Sequence, residues 1–148
     1  VSPDADERDP ADRLDGPDDL TTAVMSLHRE TAVLYAEVAR QFELTSQQTQ
    51  LLCLLGADPP SFGDIAARLG CDKTNVTGMV DRLSRRGLLT RDPDPTDRRV
   101  SRVVLTPEGE TLRRQIRATL TTALTTRLPT LIATNPTRFA PLAALLHP

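Results

Sequence analysis

Between Ser61 and Leu105 the chain changes its hydrophobic period, and that change limits what it can become. The run Ser61-Phe62-Gly63-Asp64-Ile65-Ala66-Ala67-Arg68-Leu69-Gly70 is a short amphipathic segment, and Gly70-Cys71-Asp72 reads as a tight joint after it. From Lys73 to Arg86, Val76, Met79, Val80 and Leu83 sit at i, i+3, i+4 and i+7, one apolar stripe of an α-helix. Asp72 suits its N-cap and Gly87 its C-terminal stop. Beyond Gly87 the pattern turns to strand: Leu88 to Asp92, then Arg99 to Leu105. Two prolines and three aspartates make the stretch from Asp92 to Asp97 a turn.

Helix, turn, helix and a hairpin with an arginine-rich tip describe a winged helix-turn-helix, an arrangement that binds DNA. The polar face of the second helix carries Thr74, Gly78, Asp81 and Arg85, flanked by Asn75, Thr77 and Arg82. Lys73, Thr74, Asn75 and Thr77 in its first turns suit base edges and phosphates, with Arg82 and Arg85 further along. A solvated helix face is the alternative for any lone helix; the neighbouring segments favour DNA. Gly78 costs roughly 1 kcal/mol against alanine inside a helix. One account is that a small residue lets the backbone lie deep in a groove. Asp81 opposes phosphate, and is expected to pair with Arg85 at i+4 or with a cytosine amino group. At the hairpin tip, Arg98 and Arg99 suit a narrow minor groove, with Asp97 holding an arginine in place. The alternative is a solvated hairpin with ion pairs inside its loop. From Arg82 to Arg102 there are seven arginines against three aspartates, a local excess that favours a phosphate-facing surface.

These residues resemble the MarR family (multiple antibiotic resistance regulators). The resemblance is carried by Asp97-Arg98-Arg99 ahead of Leu105-Thr106 and Pro107-Glu108-Gly109, by Asp81-Arg82-Leu83 with Gly87-Leu88, and by Leu44-Thr45 with Gln48 and Leu51. It runs from about Leu20 to the C-terminus and is weakest in the terminal helices. It implies that Asp97 pairs with Arg99, that Arg99 enters the minor groove, and that Lys73, Asn75, Thr77 and Arg82 touch bases and phosphates. It also implies a homodimer on a palindromic operator, acting as a ligand- or redox-responsive repressor, more rarely an activator. The peroxide-sensing branch keeps its reactive cysteine in the first helix, where this chain has none.

The formal net charge of −2 argues at first against a nucleic-acid partner. The charge is uneven, however: residues 1–19 carry eight acidic residues and two arginines, so the remainder is positive. Lys73 is the only lysine. No apolar run is long enough to span a membrane and no leader pattern is present, so a cytoplasmic protein is expected. Cys53, among leucines, reads as a small core residue. Cys71, before a helix, sits where a thiolate is favoured, a candidate redox group. With His28 and His147 the only histidines, no metal site is expected, and no cofactor. No P-loop, GxGxxG or acid–base constellation appears, so an enzyme is not expected.

The rest of the chain supplies helices. Residues 1–17, acidic and proline-containing, should be a disordered or loosely packed tail. From Asp18 to Phe42, Leu20, Val24, Leu27, Thr31, Leu34 and Val38 form a seam for another helix, with His28, a partly buried structural histidine, beside it. Leu44 to Gly56 is a second helix, with Thr45 and Gln48 as a capping box. Thr106-Pro107 opens another, which Pro129 should kink or end near Arg127. A last helix runs from about Thr137 to Leu146.

The expected fold is mainly α with a small β-wing. Residues 18–148 form one domain, with a winged-helix lobe at 44–106 between dimerisation helices at 18–43 and 107–148. Purely intramolecular packing of those helices is the alternative. The expected function is a dimeric, sequence-specific DNA-binding regulator. The alternative is a winged helix that binds protein rather than DNA. The resemblance also implies a small aromatic or phenolic effector near His28, Arg29, Leu54 and Arg113.

Overall fold

Capping side chains set the helix starts. The Thr45 hydroxyl accepts the Gln48 N–H at 3.1 Å while the Gln48 carboxamide accepts the Thr45 N–H at 3.0 Å. Ser61 and Asp64 exchange the same two bonds at 3.1 and 3.0 Å. Asp72 accepts the Asn75 N–H at 2.8 Å. These bonds satisfy donors that a helix N-terminus otherwise leaves open. In the computed structural model, which describes residues 19–147, they open helices α2 (Ser46–Leu54), α3 (Phe62–Leu69) and α4 (Lys73–Arg85). Helix α1 (Leu20–Gln41) precedes them; strands β1 (Leu89–Pro93) and β2 (Ser101–Leu105) and helices α5 (Pro107–Thr134) and α6 (Pro136–Leu146) follow. The expected acidic tail at 1–17 lies outside the described residues.

The described residues divide into two compact units, one from Tyr35 to Thr121 and one made of residues 19–34 with 122–147. The first holds the winged lobe. There β1 and β2 pair antiparallel, from Leu89 opposite Leu105 to Pro93 opposite Ser101. The stretch before α3 joins β2: Val103 N–H donates to the Pro60 carbonyl at 3.0 Å, and Ser61 bridges to Arg102. The α4 stripe of Val76, Met79, Val80 and Leu83 is buried as its spacing predicts, with Leu51, Leu52, Leu55, Ile65, Val103 and Ile116 completing the core. Burying one such aliphatic side chain fully contributes about 1.5–3 kcal/mol.

Gly87 ends α4 with φ +74°, a left-handed turn that a Cβ would strain. Thr106 then ties the exit of β2 to that turn. Its hydroxyl donates to the Gly87 carbonyl at 2.6 Å and accepts the Gly109 N–H at 3.0 Å. A Cβ at Gly109 would run into the Leu88 carbonyl, so the α5 N-terminus packs this closely only with glycine there.

In the second unit Ala23, Ser26, Leu34 and Phe139 are buried. The upper part of the α1 seam is not: Leu20 and Val24 are exposed, as are Met25, Val33, Ile132, Leu145 and Leu146.

Three expectations need correction. Pro129 does not end α5, which continues to Thr134. The neighbouring positions 125–127 and 129–130 are exposed, so solvent can serve the ladder bond that proline forfeits. The Thr126 and Thr134 hydroxyls also donate to carbonyls four residues back, at 2.7 and 2.8 Å. His28 is exposed rather than partly buried, because it falls on the outer face of α1. Cys53 is only half-buried. Burial still raises its thiol pKa, against the opposing pull of Arg117 and Arg113.

Candidate nucleic-acid interface

The α4 side chains opposite its buried stripe reach solvent. Lys73, Thr74, Asn75, Arg82 and Arg85 are exposed, and Thr77 is half-buried. The Thr77 hydroxyl donates to the Lys73 carbonyl at 2.9 Å, which leaves its lone pairs for an incoming donor. A Cβ at Gly78 would meet nothing within 4 Å. The protein's own packing therefore does not demand glycine there.

Asp81 does not form the expected side-chain pair with Arg85. Its carboxylate pairs with Arg91 from β1. Arg85 Nε donates instead to the Asp81 backbone carbonyl at 3.3 Å. Arg91 is well placed for this because its guanidinium lies over the Phe62 ring, 5.1 Å from the centroid. An exposed pair of this kind adds little stability, but it neutralises the carboxylate that would repel phosphate.

The wing is built around a residue that the sequence marks only as part of a turn. Asp94 is 5% exposed. It accepts the Thr96 N–H at 2.8 Å, the Thr96 hydroxyl at 2.6 Å, the Asp97 N–H at 3.0 Å and Arg102 Nε at 2.6 Å. These bonds, the Thr96 hydroxyl first, hold its carboxyl far below the usual carboxylate range. Arg102 likewise stands out in the sequence only as a strand residue. The local signal for Asp94 is the Asp-Pro-Thr-Asp order, which suits a side chain bonding its own backbone two residues on. Its partner eight residues away carries no such signal.

At the tip, Arg99 Nε donates to Asp97 Oδ1 at 3.1 Å and Nη2 to Oδ2 at 3.4 Å, and the Arg99 N–H donates to Oδ1 at 3.1 Å. The Arg99 side chain remains 91% exposed. Its guanidinium is held against Asp97 and still lies open to solvent. Arg98 beside it is exposed.

The arginine excess from Arg82 to Arg102 is thus partly internal. Arg86 donates to the carbonyls of Glu43 and Phe42 at 3.0 and 3.4 Å, and Arg91 and Arg102 hold aspartates. Arg82, Arg85 and Arg98 are exposed and pair with no carboxylate among the described residues, and Arg99, though held by Asp97, keeps its side chain 91% exposed to a polyanion. A cleft of about 400 Å³ gathers Lys73 from α4, Arg91 from β1 and Arg99 from the wing around Phe62 and Gly63. A Cβ at Gly63 would lie 3.3 Å from Lys73 Cε, so the lysine stem rests against the start of α3. Of the three cations, Arg91 and Arg99 already hold aspartates, so the charge this cleft offers a phosphate-bearing partner is chiefly that of Lys73.

The residues expected near an effector are divided between the units. His28 and Arg29 are exposed in the terminal unit, whereas Leu54 and Arg113 are half-buried in the winged lobe. Arg113 Nη1 reaches Glu110 at 3.3 Å, and its Nε is buried with no hydrogen-bond partner. Among the described residues no group of three or more His, Cys, Asp or Glu is placed to hold a metal, and no helix is long and apolar enough to cross a membrane.

Known proteins share this arrangement. The homoprotocatechuate degradative operon repressor of Escherichia coli is 29% identical over 96 residues, 64% of this chain and 65% of the relative. The HTH-type transcriptional repressor NicR of Pseudomonas putida is 34% identical over 101 residues, 65% of this chain and 64% of the relative. The chain thus spans about 65% of the length of the curated relatives it matches. The crystal structure of a single-site mutant of MarR from E. coli superposes with a TM-score of 0.73 at 25% identity, over 86% of this chain and 93% of that one. The sequence model of the MarR family matches residues 44–101, which hold both helices of the helix-turn-helix and the wing loop. With the hairpin and the Asp97–Arg99 pair in place, residues 44–101 form a winged helix-turn-helix segment that matches the MarR family.

Proposed function

We propose that the protein is a homodimeric, sequence-specific DNA-binding transcriptional regulator, acting as a ligand-responsive repressor on a palindromic operator. One observation carries the reading: the Arg99 guanidinium is held by Asp97 yet the side chain is 91% exposed, beside an α4 face whose Lys73, Thr74 and Asn75 are free to solvent. The names of the E. coli and P. putida relatives, both repressors, support the same reading. In it, α4 enters the major groove and the wing reaches the flanking minor groove. Lys73, Thr74, Asn75, Thr77, Arg82 and Arg85 contact bases and phosphates, and Arg98 and Arg99 serve the wing.

Dimerisation is assigned to the terminal helices. Their exposed Leu20, Val24, Met25, Val33, Ile132, Leu145 and Leu146 are apolar groups that water opposes and a second copy would cover. The effector is assigned to the small aromatic or phenolic acids, on the relative named for homoprotocatechuate degradation.

The test selects duplexes from a randomised pool with the full chain, then measures binding by fluorescence anisotropy against salt. Enrichment of a palindrome and affinity that falls steeply with salt are expected. Arg99→Ala should weaken binding at least tenfold, about 1.4 kcal/mol. Binding without salt dependence, or none at all, would instead favour a winged helix that docks protein.

A further inference from the structure

The wing loop between the strands has almost no apolar anchor. None of residues 95–99 is buried. Its position relative to α4 therefore rests on polar bonds, and those bonds run in one unbroken line. Arg102 starts it on the helix-turn-helix scaffold: Nη1 donates to the Pro59 carbonyl at 3.4 Å and lies 3.5 Å from Asp64, the residue that caps α3. Arg102 Nε donates to Asp94 at 2.6 Å, Asp94 accepts the Asp97 N–H at 3.0 Å, and Asp97 accepts Arg99 Nε at 3.1 Å.

Hiding the Asp94 carboxylate is costly unless it is paired and hydrogen-bonded. A pair of this kind is weak evidence for stability, since an apolar replacement often serves as well. What it supplies here is geometry. We propose that Arg102 and Asp94 are positioning residues for DNA binding: they fix the wing to the start of α3 and so hold Arg99 at a set distance from α4. The inference rests on the regulator reading above. Without the line of bonds, Arg99 would sample many orientations, and ordering it on DNA would cost affinity.

Asp94→Asn cuts one link only. The amide oxygen still accepts from Thr96 and Asp97, but its NH₂ group faces the Arg102 donors. Arg102→Met cuts the same link from the other side and, with it, the ties to Pro59 and Asp64. Each is measured for binding to the selected duplex, alone and with Arg99→Ala. Side-chain ¹⁵N relaxation of Arg99 Nε is recorded on the free protein. Positioning predicts that Asp94→Asn weakens binding about tenfold in the native background but less than about twofold when Arg99 is already alanine. It also predicts a lower Arg99 Nε order parameter, with the α4 amide signals unchanged. Additive losses, or an Arg99 signal indifferent to both variants, would overturn it. If the native chain binds no duplex, the regulator reading fails. The Arg99 signal then decides whether the line of bonds fixes the wing.

Discussion

The lobe from Tyr35 to Thr121 and the unit made from the chain's two ends finish their surfaces in opposite ways. The lobe puts charge outside and anchors it: Asp81 takes Arg91, Asp97 takes Arg99, and Asp94 takes Arg102. The terminal unit leaves leucine, valine, methionine and isoleucine outside instead. An anchored cation is suited to a polyanion, because its orientation is set before binding. An exposed apolar group is suited to another apolar surface. The contrast fits the two kinds of partner proposed for the two units.

The largest effect should come from the lobe's interior rather than its charges. Leu83 has no solvent exposure, and Leu83→Ala should cost about 2–5 kcal/mol in urea unfolding. Arg98→Ala, on the exposed wing, should stay within about 0.5 kcal/mol. Comparable losses would mean that surface charge, not burial, holds the lobe together. Next in size is the apolar surface of the other unit. Val24→Asp with Met25→Asp should raise the dimer dissociation constant at least about a hundredfold, since each buried carboxylate would lack a partner. Sedimentation equilibrium reads this directly, and an unchanged dimer would remove the surface from its assigned role.

Gly78 separates folding from binding inside the lobe. Because its Cβ position is open, Gly78→Ala should stabilise the protein by about 1 kcal/mol through helix propensity. Operator affinity should nevertheless fall if the helix backbone approaches DNA closely there. A variant that gains stability and keeps its affinity would leave the glycine unexplained by DNA. The smallest effect concerns pH. The Asp94 pKa is lowered in the folded state by its Thr96, Arg102 and Asp97 bonds. A lowered carboxylate pKa contributes stability that is complete above the unfolded value, about 4, and is lost as pH falls through the folded one. Native stability should therefore decline below about pH 4 more steeply than that of Asp94→Asn.

Local chemistry made much of this legible in the sequence. The caps at Thr45, Ser61 and Asp72 involve partners three residues away, and the α4 stripe follows from helical spacing alone. The Asp97–Arg99 bond spans only two residues, but it is the family resemblance that singles out Arg99 rather than Arg98 as the partner. What escaped depends on distant contacts. Arg86 reaches carbonyls 43 and 44 residues away, and Arg102 finds Asp94 only once the strands are in register. Asp81 chose Arg91 over the helical neighbour at i+4 because the hairpin folds back beside α4. Counting arginines overstated the free charge, since a count cannot see which of them are already bound.

The central claim is that an anchored wing and the α4 face grip one duplex in different grooves. Hydroxyl-radical footprinting of the selected duplex tests it most directly, with the native chain and Arg99→Ala compared at saturating protein. The account predicts protected minor-groove positions flanking the centre of each half-site, lost in Arg99→Ala while protection at the α4 contact persists. Identical footprints for the two proteins, or uniform loss across the whole site, would contradict it.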